Sequence, residues 1–394
     1  MTLIKKVNLS DDTRLLISIF LPLYAIHCME QLYFIYGNVL KGYGISSQTI
    51  GWILGAFFIT IMFSRPIGSW MLERFGIRRT LATAGIIGFA GCFILFAFKS
   101  VPLLFAGRVL SGAAFGIFSM GLFSYQAITV TENIRGASFA ITAVGGMLPT
   151  ATVTPLGEWL LLLSHEKMYL AIGPIMCVIC IFLSKIVGAG TIKKRERAQK
   201  WGNYRELLSY RSFVMLAVTG TIMALVDAAT VSMSLLASEH QLITSYFLSS
   251  SAVAAVILRL GFSSILNKLP RSFCLAPCGM LMSGALFAIS IAPSHLSFMI
   301  WGALFGIGIG AGFPLFLAAM SDTLPPPLRP KGTASALFLY DLGWFVTPLL
   351  VGYATPLFGI AWTFRSLALV TFLAMTGIML LYWAPAHFGR PPVN

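Results

Sequence analysis

The sequence predicts an all-α membrane protein: twelve transmembrane helices in two six-helix bundles. Three observations carry this reading. The 394 residues are 57% hydrophobic and only 10% charged, against about 25% charged in an average soluble domain. Twelve apolar runs are each long enough to cross a bilayer core, which takes about 20 residues per helix. The 27 Lys and Arg, against 13 Asp and Glu, fall mainly in every second loop. Disorder is excluded, because a disordered chain combines low hydrophobicity with high charge.

The first run, 13–36, follows Lys5, Lys6, Asp11 and Asp12 and contains Arg14. No small-residue cleavage site follows a short early core, so it reads as a retained helix and not as a signal peptide. The runs 48–72, 79–98, 102–130, 135–162 and 167–188 follow, joined by short loops. Residues 189–210 break the pattern with Lys193, Lys194, Arg195, Arg197, Lys200 and Arg205. The remaining runs are 211–237, 243–267, 271–291, 295–322, 332–357 and 362–384. The predicted organisation is therefore a bundle over 1–188, a basic linker over 189–210 and a second bundle over 211–394.

With both termini on one side, 20 of the 27 basic residues lie on that side. Lys41, Lys99, Lys167 and Arg365 lie opposite, and Arg65, Arg108 and Arg259 lie within runs. The positive-inside rule puts the termini and the linker in the cytoplasm, in a bacterial plasma (inner) membrane. The net charge of +14 then reads as a topology signal. Basic residues scattered over alternate loops do not form a nucleic-acid patch, and the expected surroundings are a lipid bilayer. The six cysteines all lie in apolar runs and read as free thiols packed as small hydrophobes.

An internal repeat is visible at an offset of 194 residues. Arg65 meets Arg259, Arg74 meets Lys268, Gly112 meets Gly306, Gly116 meets Gly310 and Arg135 meets Arg329. Thr154-Pro155 falls close to Thr347-Pro348. Six helices is an even number, so the two copies share one orientation, a parallel duplication.

The loop after the second run reads Arg65-Pro66-Ile67-Gly68-Ser69-Trp70-Met71-Leu72-Glu73-Arg74-Phe75-Gly76-Ile77-Arg78-Arg79. It resembles the signature loop of the major facilitator superfamily, Gly-x-x-x-Asp-Arg-x-Gly-Arg-Arg. Ser69 stands for the first Gly and Glu73 for the Asp. The fourth run opens Gly107-Arg108-Val109-Leu110-Ser111-Gly112, similar to the fourth-helix motif of proton-coupled members. Thr154-Pro155-Leu156-Gly157 resembles a fragment of the motif associated with antiporters, with Thr154 where Gly is usual. The resemblance covers the whole chain in architecture and points towards proton-coupled drug or metabolite antiporters. It implies that helices 1, 4, 7 and 10 line a central cavity.

Charge inside a bilayer is costly and marks function by default. Glu30, Arg108, Asp227 and Asp341 lie inside runs, with His27 one turn before Glu30. Rise per residue puts Glu30 and Arg108 at similar depth, so the pair is expected to meet across the cavity. Tyr24, His27, Glu30, Gln31 and Phe34 form one stripe; Arg108, Ser111, Phe115, Ser119 and Gln126 form a second. Thr230 and Ser234 continue the face of Asp227, and Trp344 follows Asp341 by one turn. A carboxyl in an apolar cavity favours its neutral form and a nearby arginine its charged form. Alternation between those settings is a route to proton coupling through Glu30, Asp227 and His27. Each group also has a structural reading, as a permanent ion pair or a satisfied interior polar group.

A second charged set, Arg65, Glu73, Arg74, Arg78, Glu132, Arg135 and Arg259, is the candidate for conformational gating, with Asp322 and Arg329 in the second half. No phosphate-binding Gly-x-x-x-x-Gly-Lys-Ser/Thr loop occurs, so uphill transport would draw on an ion gradient. No nucleophile–base or metal-ligand constellation is visible, so neither an enzyme nor a cofactor or metal site is expected. The expected function is a proton-coupled exporter of a small organic compound, a drug, metabolite or siderophore-like chelator. The alternative is an importer of an anionic nutrient or chelator anchored by Arg108 and His27. A monomer suffices for this architecture.

Overall fold

The computed structural model describes residues 11–130, 135–188, 204–261, 270–291, 293–325 and 328–384. Every regular element among them is helical. In the first half, α1 (Asp11–Leu32) passes through a 3-10 turn at Tyr33–Ile35 into α2 (Tyr36–Gly42), followed by α3 (Ser47–Phe75), α4 (Ile77–Ala97), α5 (Val101–Thr129), α6 (Arg135–Leu162) and α7 (Glu166–Leu183). A short α8 (Tyr204–Leu207) precedes α9 (Arg211–Asp227), which passes through a 3-10 turn at Ala228–Ser232 into α10 (Met233–Glu239). Then come α11 (Ser245–Gly261), α12 (Arg271–Ile291), α13 (His295–Thr323), α14 (Arg329–Phe358) and α15 (Ile360–Ile378).

Ten helical stretches among the described residues are long and apolar enough to cross a membrane. α6, which carries Pro149 and Pro155, and the shorter apolar α11 pack among them. Two predicted boundaries need correction. The runs 13–36 and 211–237 continue to Gly42 and Glu239, each as two helices with a 3-10 turn between them. Residues 189–203 of the predicted linker, and the end of the predicted 243–267 run, lie outside the described residues.

Local chemistry explains the helix ends. The Ser46 hydroxyl accepts from the Thr49 amide at the start of α3, and Ser294 does the same for Ser297 at the start of α13. Each satisfies one orphan donor of a first turn. Gly76 joins α3 to α4 at φ 76°, a left-handed conformation that glycine adopts without steric cost.

Close packing is made by small residues. A Cβ on Gly112 of α5 would collide with the Phe57 carbonyl of α3, and one on Gly306 of α13 with the Ser251 carbonyl of α11. Small residues at helix contacts let backbones approach, as membrane helix pairs require. All six cysteines are free, four of them buried, with the Cys92 and Cys177 sulfurs 3.9 Å apart.

The connections 43–46, 98–100, 163–165 and 240–244 share one end of the molecule, here the distal end. There the Tyr43 hydroxyl donates to Glu166 Oε1 at 2.5 Å, and Lys99 Nζ lies 3.1 Å from the same oxygen and 4.2 Å from the Tyr43 ring centre. Burial and the Glu166 carboxylate push the Tyr43 phenol above its ordinary range. The two halves also meet at this end. α3 packs along α14, α6 against α11, and α2 against α10. At the opposite, proximal end, Arg78 Nε donates to the Val187 carbonyl at 2.7 Å, and Arg271 pairs with Asp322 at 2.6 Å.

Candidate functional site

The breaks in α1/α2 and α9/α10 shape the centre of the molecule. A 3-10 turn interrupts the i to i−4 bonding of an α-helix and leaves carbonyls to be satisfied elsewhere. Thr154 Oγ1 of α6 donates to the Gln31 carbonyl at 3.1 Å. Thr347 Oγ1 of α14 donates to the Leu225 carbonyl at 2.9 Å. Tyr169 adds a bond to the Leu32 carbonyl at 3.0 Å. The two Thr-Pro pairs singled out in the sequence thus cap two broken helices.

Glu30 sits just before the first break. It is half-buried, and no hydrogen bond or ion pair reaches it among the described residues. Arg108, Asp341, Arg65 and Asp227 all lie within its electrostatic range. The expected Glu30–Arg108 contact does not form. The Arg108 guanidinium is 1% exposed, 4.4 Å from the Phe57 ring centre and 5.4 Å from that of Tyr33. Its Nε and Nη1 meet no acceptor among the described residues. The cation lies on aromatic faces, which attract it by their quadrupoles.

Asp341 pairs instead with Arg65, at 2.7 Å through Oδ2 and 3.2 Å through Oδ1. Sequence reading put Arg65 in a gate and Asp341 in the cavity; the structure joins the two in one pair between α3 and α14. Asp227 Oδ2 accepts from the Tyr340 hydroxyl at 2.9 Å. Thr230, expected to extend the Asp227 face, bonds back to the Asp227 carbonyl at 2.6 Å and is 6% exposed. Trp344 stands 4.9 Å from Phe58 and 6.0 Å from Phe34, ring centre to ring centre.

The stripe on α1 is engaged with α6. Gln31 donates to the Gly146 carbonyl at 2.6 Å and accepts a short bond from the Thr150 hydroxyl. The Tyr24 hydroxyl bonds Thr152 Oγ1 at 2.8 Å. His27 Nδ1 bonds the Leu23 carbonyl at 2.8 Å, and its ring meets Phe115 edge-on at 5.0 Å. The stripe on α5 does not face an open cavity. Ser111, Ser119 and Gln126 are 0%, 4% and 0% exposed. The two serine hydroxyls fold back on their own helix, onto the Arg108 and Phe115 carbonyls.

Among the gating candidates, Glu73 is exposed and Arg74 stacks on Trp70 at 5.6 Å. Arg259, the repeat partner of Arg65, forms no interhelical ion pair among the described residues. Its Nε donates to the Gly310 carbonyl at 3.0 Å. Pro314 explains this, because a proline frees the carbonyl four residues before it, and that carbonyl is Gly310. Glu132 and the side chains of Arg135 and Arg329 lie outside the described residues. Asp322 pairs with Arg271. Sequence reading missed Tyr340, Phe58 and Glu158.

The family model described as Major Facilitator Superfamily matches residues 13–294 and 213–393. An uncharacterized MFS-type transporter, YfkF, of Bacillus subtilis (strain 168) is 28% identical over 155 residues, covering 36% of this chain and 37% of that protein. The facilitated trehalose transporter Tret1 of Bombyx mori is 27% identical over 107 residues, 27% of this chain and 20% of that protein. The matches thus span well under half the length of these relatives. Among solved structures, a POT family transporter in complex with 5-aminolevulinic acid aligns with a TM-score of 0.77 at 13% identity, covering 94% of this chain and 96% of that one. The human organic anion transporter MFSD10 (TETRAN) aligns with a TM-score of 0.69 at 14% identity, covering 94% of this chain and 100% of that one. At such identities the likeness is one of fold.

Proposed function

From the premise that the chain belongs to the major facilitator superfamily, and so is a membrane-embedded secondary transporter of a small molecule, we propose that it is a proton-coupled exporter of a small organic compound. Twelve helices in two parallel six-helix bundles, 1–188 and 211–394 around a cytoplasmic linker 189–210, would rock between two open states. Contacts that recur at the 194-residue offset, to within one residue, support the parallel repeat: Gly112 on Phe57 and Gly306 on Ser251, Thr154 on Gln31 and Thr347 on Leu225. Both termini are cytoplasmic in this reading, the membrane is the bacterial plasma membrane and the protein acts as a monomer.

The observation that carries the proton route is Glu30. It is a half-buried carboxyl without a partner among the described residues, within electrostatic range of two cations, Arg65 and Arg108, and two anions, Asp227 and Asp341. Such a group changes protonation as its neighbours move. A proton on Glu30 lowers repulsion with Asp341 and Asp227. Its loss restores attraction to the arginines and biases the pairing of the two halves. Asp227, held by Tyr340, and His27, held by Leu23, are the further candidates for the relay.

The substrate is read as a compound with a cationic or protonatable group. Arg65 is taken by Asp341 and Arg108 by its aromatic cage, whereas Glu30, one turn before Phe34 in the sequence, carries a charge that no hydrogen bond or ion pair claims among the described residues. The alternative importer of an anion would need Arg108 to leave that cage. The organic anion and 5-aminolevulinic acid in the titles of the fold neighbours belong to those proteins. In proteoliposomes under an imposed pH gradient, Glu30→Gln is expected to abolish uphill movement and the pH dependence of counterflow. Normal uphill rates with unchanged pH dependence would sink the proton route.

A further inference from the structure

We propose that Glu158 is the latch of the distal gate, a carboxylate of one half that caps a helix of the other. Glu158 lies near the distal end of α6 and is 8% exposed. Its Oε1 accepts from the Thr244 amide at 2.6 Å, and its Oε2 accepts from the Ser245 amide at 2.7 Å. The Ser245 hydroxyl donates a further short bond to Oε2. All three donors stand at the start of α11, where the first amides of a helix have no intrahelical partner. Caps of this kind are usually supplied by the residue just before the helix. Here that service is given by a side chain 86 residues away, in the other half of the molecule.

The chemistry makes this contact decisive for the seam. Hydrogen bonds from backbone amides to a carboxylate are charge-assisted and short, and the helix dipole favours an anion at this end. No cation approaches Glu158 among the described residues, so the three donors of α11 stabilise its charge. Separating α6 from α11 at the distal end exchanges three charge-assisted bonds, made in a desolvated seam, for bonds to water, and bonds to charged groups are the ones whose net loss is largest. The other polar distal contacts between halves among the described residues are single bonds to neutral acceptors: Trp52 Nε1 to the Tyr353 hydroxyl at 3.1 Å, Ser249 to the Thr150 carbonyl at 3.3 Å, and Lys41 to Ser238 at 3.5 Å. Glu158 therefore acts as a gating residue whose engagement defines the distally closed state, whatever compound is carried.

The test uses Ser249→Cys, one turn below the latch, where the native hydroxyl reaches the Thr150 carbonyl across the same seam at 3.3 Å. The full chain in right-side-out and inside-out vesicles is treated with a membrane-impermeant maleimide. The native cysteines give the background, measured without Ser249→Cys. Adding Glu158→Gln is expected to raise labelling at position 249 about tenfold or more, and from the distal face only. Equal labelling with and without Glu158→Gln, or an equal rise from both faces, overturns the proposal. Ser245→Ala removes one donor and keeps both backbone bonds. It is expected to shift labelling the same way by a smaller factor, and decides the matter if Glu158→Gln does not fold. No shift with Ser245→Ala then overturns the proposal as well.

Discussion

Gly352→Ala is the most direct probe of how the halves close. Gly352 of α14 lies against the distal start of α3, and a Cβ there would sit 2.6 Å from the Ser47 carbonyl oxygen and 3.2 Å from the Gly51 Cα. Ordinary contact begins at 3.4 Å, a shortfall of about 0.8 Å. The obstructing atoms are backbone, so no side-chain rotation relieves them. Overpacking of this kind costs about 1–3 kcal/mol, partly offset by the better helix propensity of alanine, up to about 1 kcal/mol. The contact joins the two halves, so the cost falls on the distally closed state alone. A bias of 1–3 kcal/mol corresponds to about 5–150-fold in a two-state ratio. Spin labels at the exposed distal positions Gly42 and Leu357 would report it by pulsed dipolar spectroscopy as growth of a longer-distance population. Gly377→Ala is the control, since nothing lies within 4 Å of a Cβ there. If Gly352→Ala and Gly377→Ala give the same distance distribution as the parent, the steric argument is refuted.

The Arg65–Asp341 pair, 30% and 13% exposed, falls between a surface pair and a fully buried one. A double-mutant cycle of Arg65→Gln and Asp341→Asn is expected to give a coupling of about 1–2 kcal/mol in denaturation free energies; additivity would show that the pair contributes nothing. Arg259→Met leaves the Gly310 carbonyl without its donor and should destabilise the protein by about 1–3 kcal/mol, seen as a lowered melting temperature. Thr154→Val and Thr347→Val each remove a cap and should cost about 1 kcal/mol. They lie in different halves, so their effects on denaturation should add.

The class of the fold was legible because membranes impose simple rules. Length and apolarity mark the helices, and the placement of Lys and Arg marks alternate ends. The Thr-Pro pairs and the Gly112/Gly306 repeat were legible too, since each is a backbone requirement written in residue type. Partner choice was not. Glu30 and Arg108 share a depth, but depth does not fix rotation about a helix axis. The aromatic faces of Phe57 and Tyr33 lie on elements distant in sequence, and they decided where the guanidinium went. Arg65 and Arg259 are equivalent by offset yet bond differently, one to an aspartate and one to a carbonyl freed by Pro314. Asp341 and Pro314 are the residues that split their roles, and neither is part of the repeat. Glu158 was passed over because its three donors stand 86 or 87 residues further along the chain.

The paired 3-10 turns at Tyr33–Ile35 and Ala228–Ser232 have a consequence for isotope exchange. In most spanning helices every amide is committed to the turn before it, and deuterium enters only by fraying from the ends. Here two interior islands hold backbone whose bonding is shared with threonine hydroxyls of α6 and α14. Those amides should take up deuterium ahead of the helical residues on either side of them. The protein would thus carry two marks of softness at mid-depth, one in each half, in segments that are among its most buried.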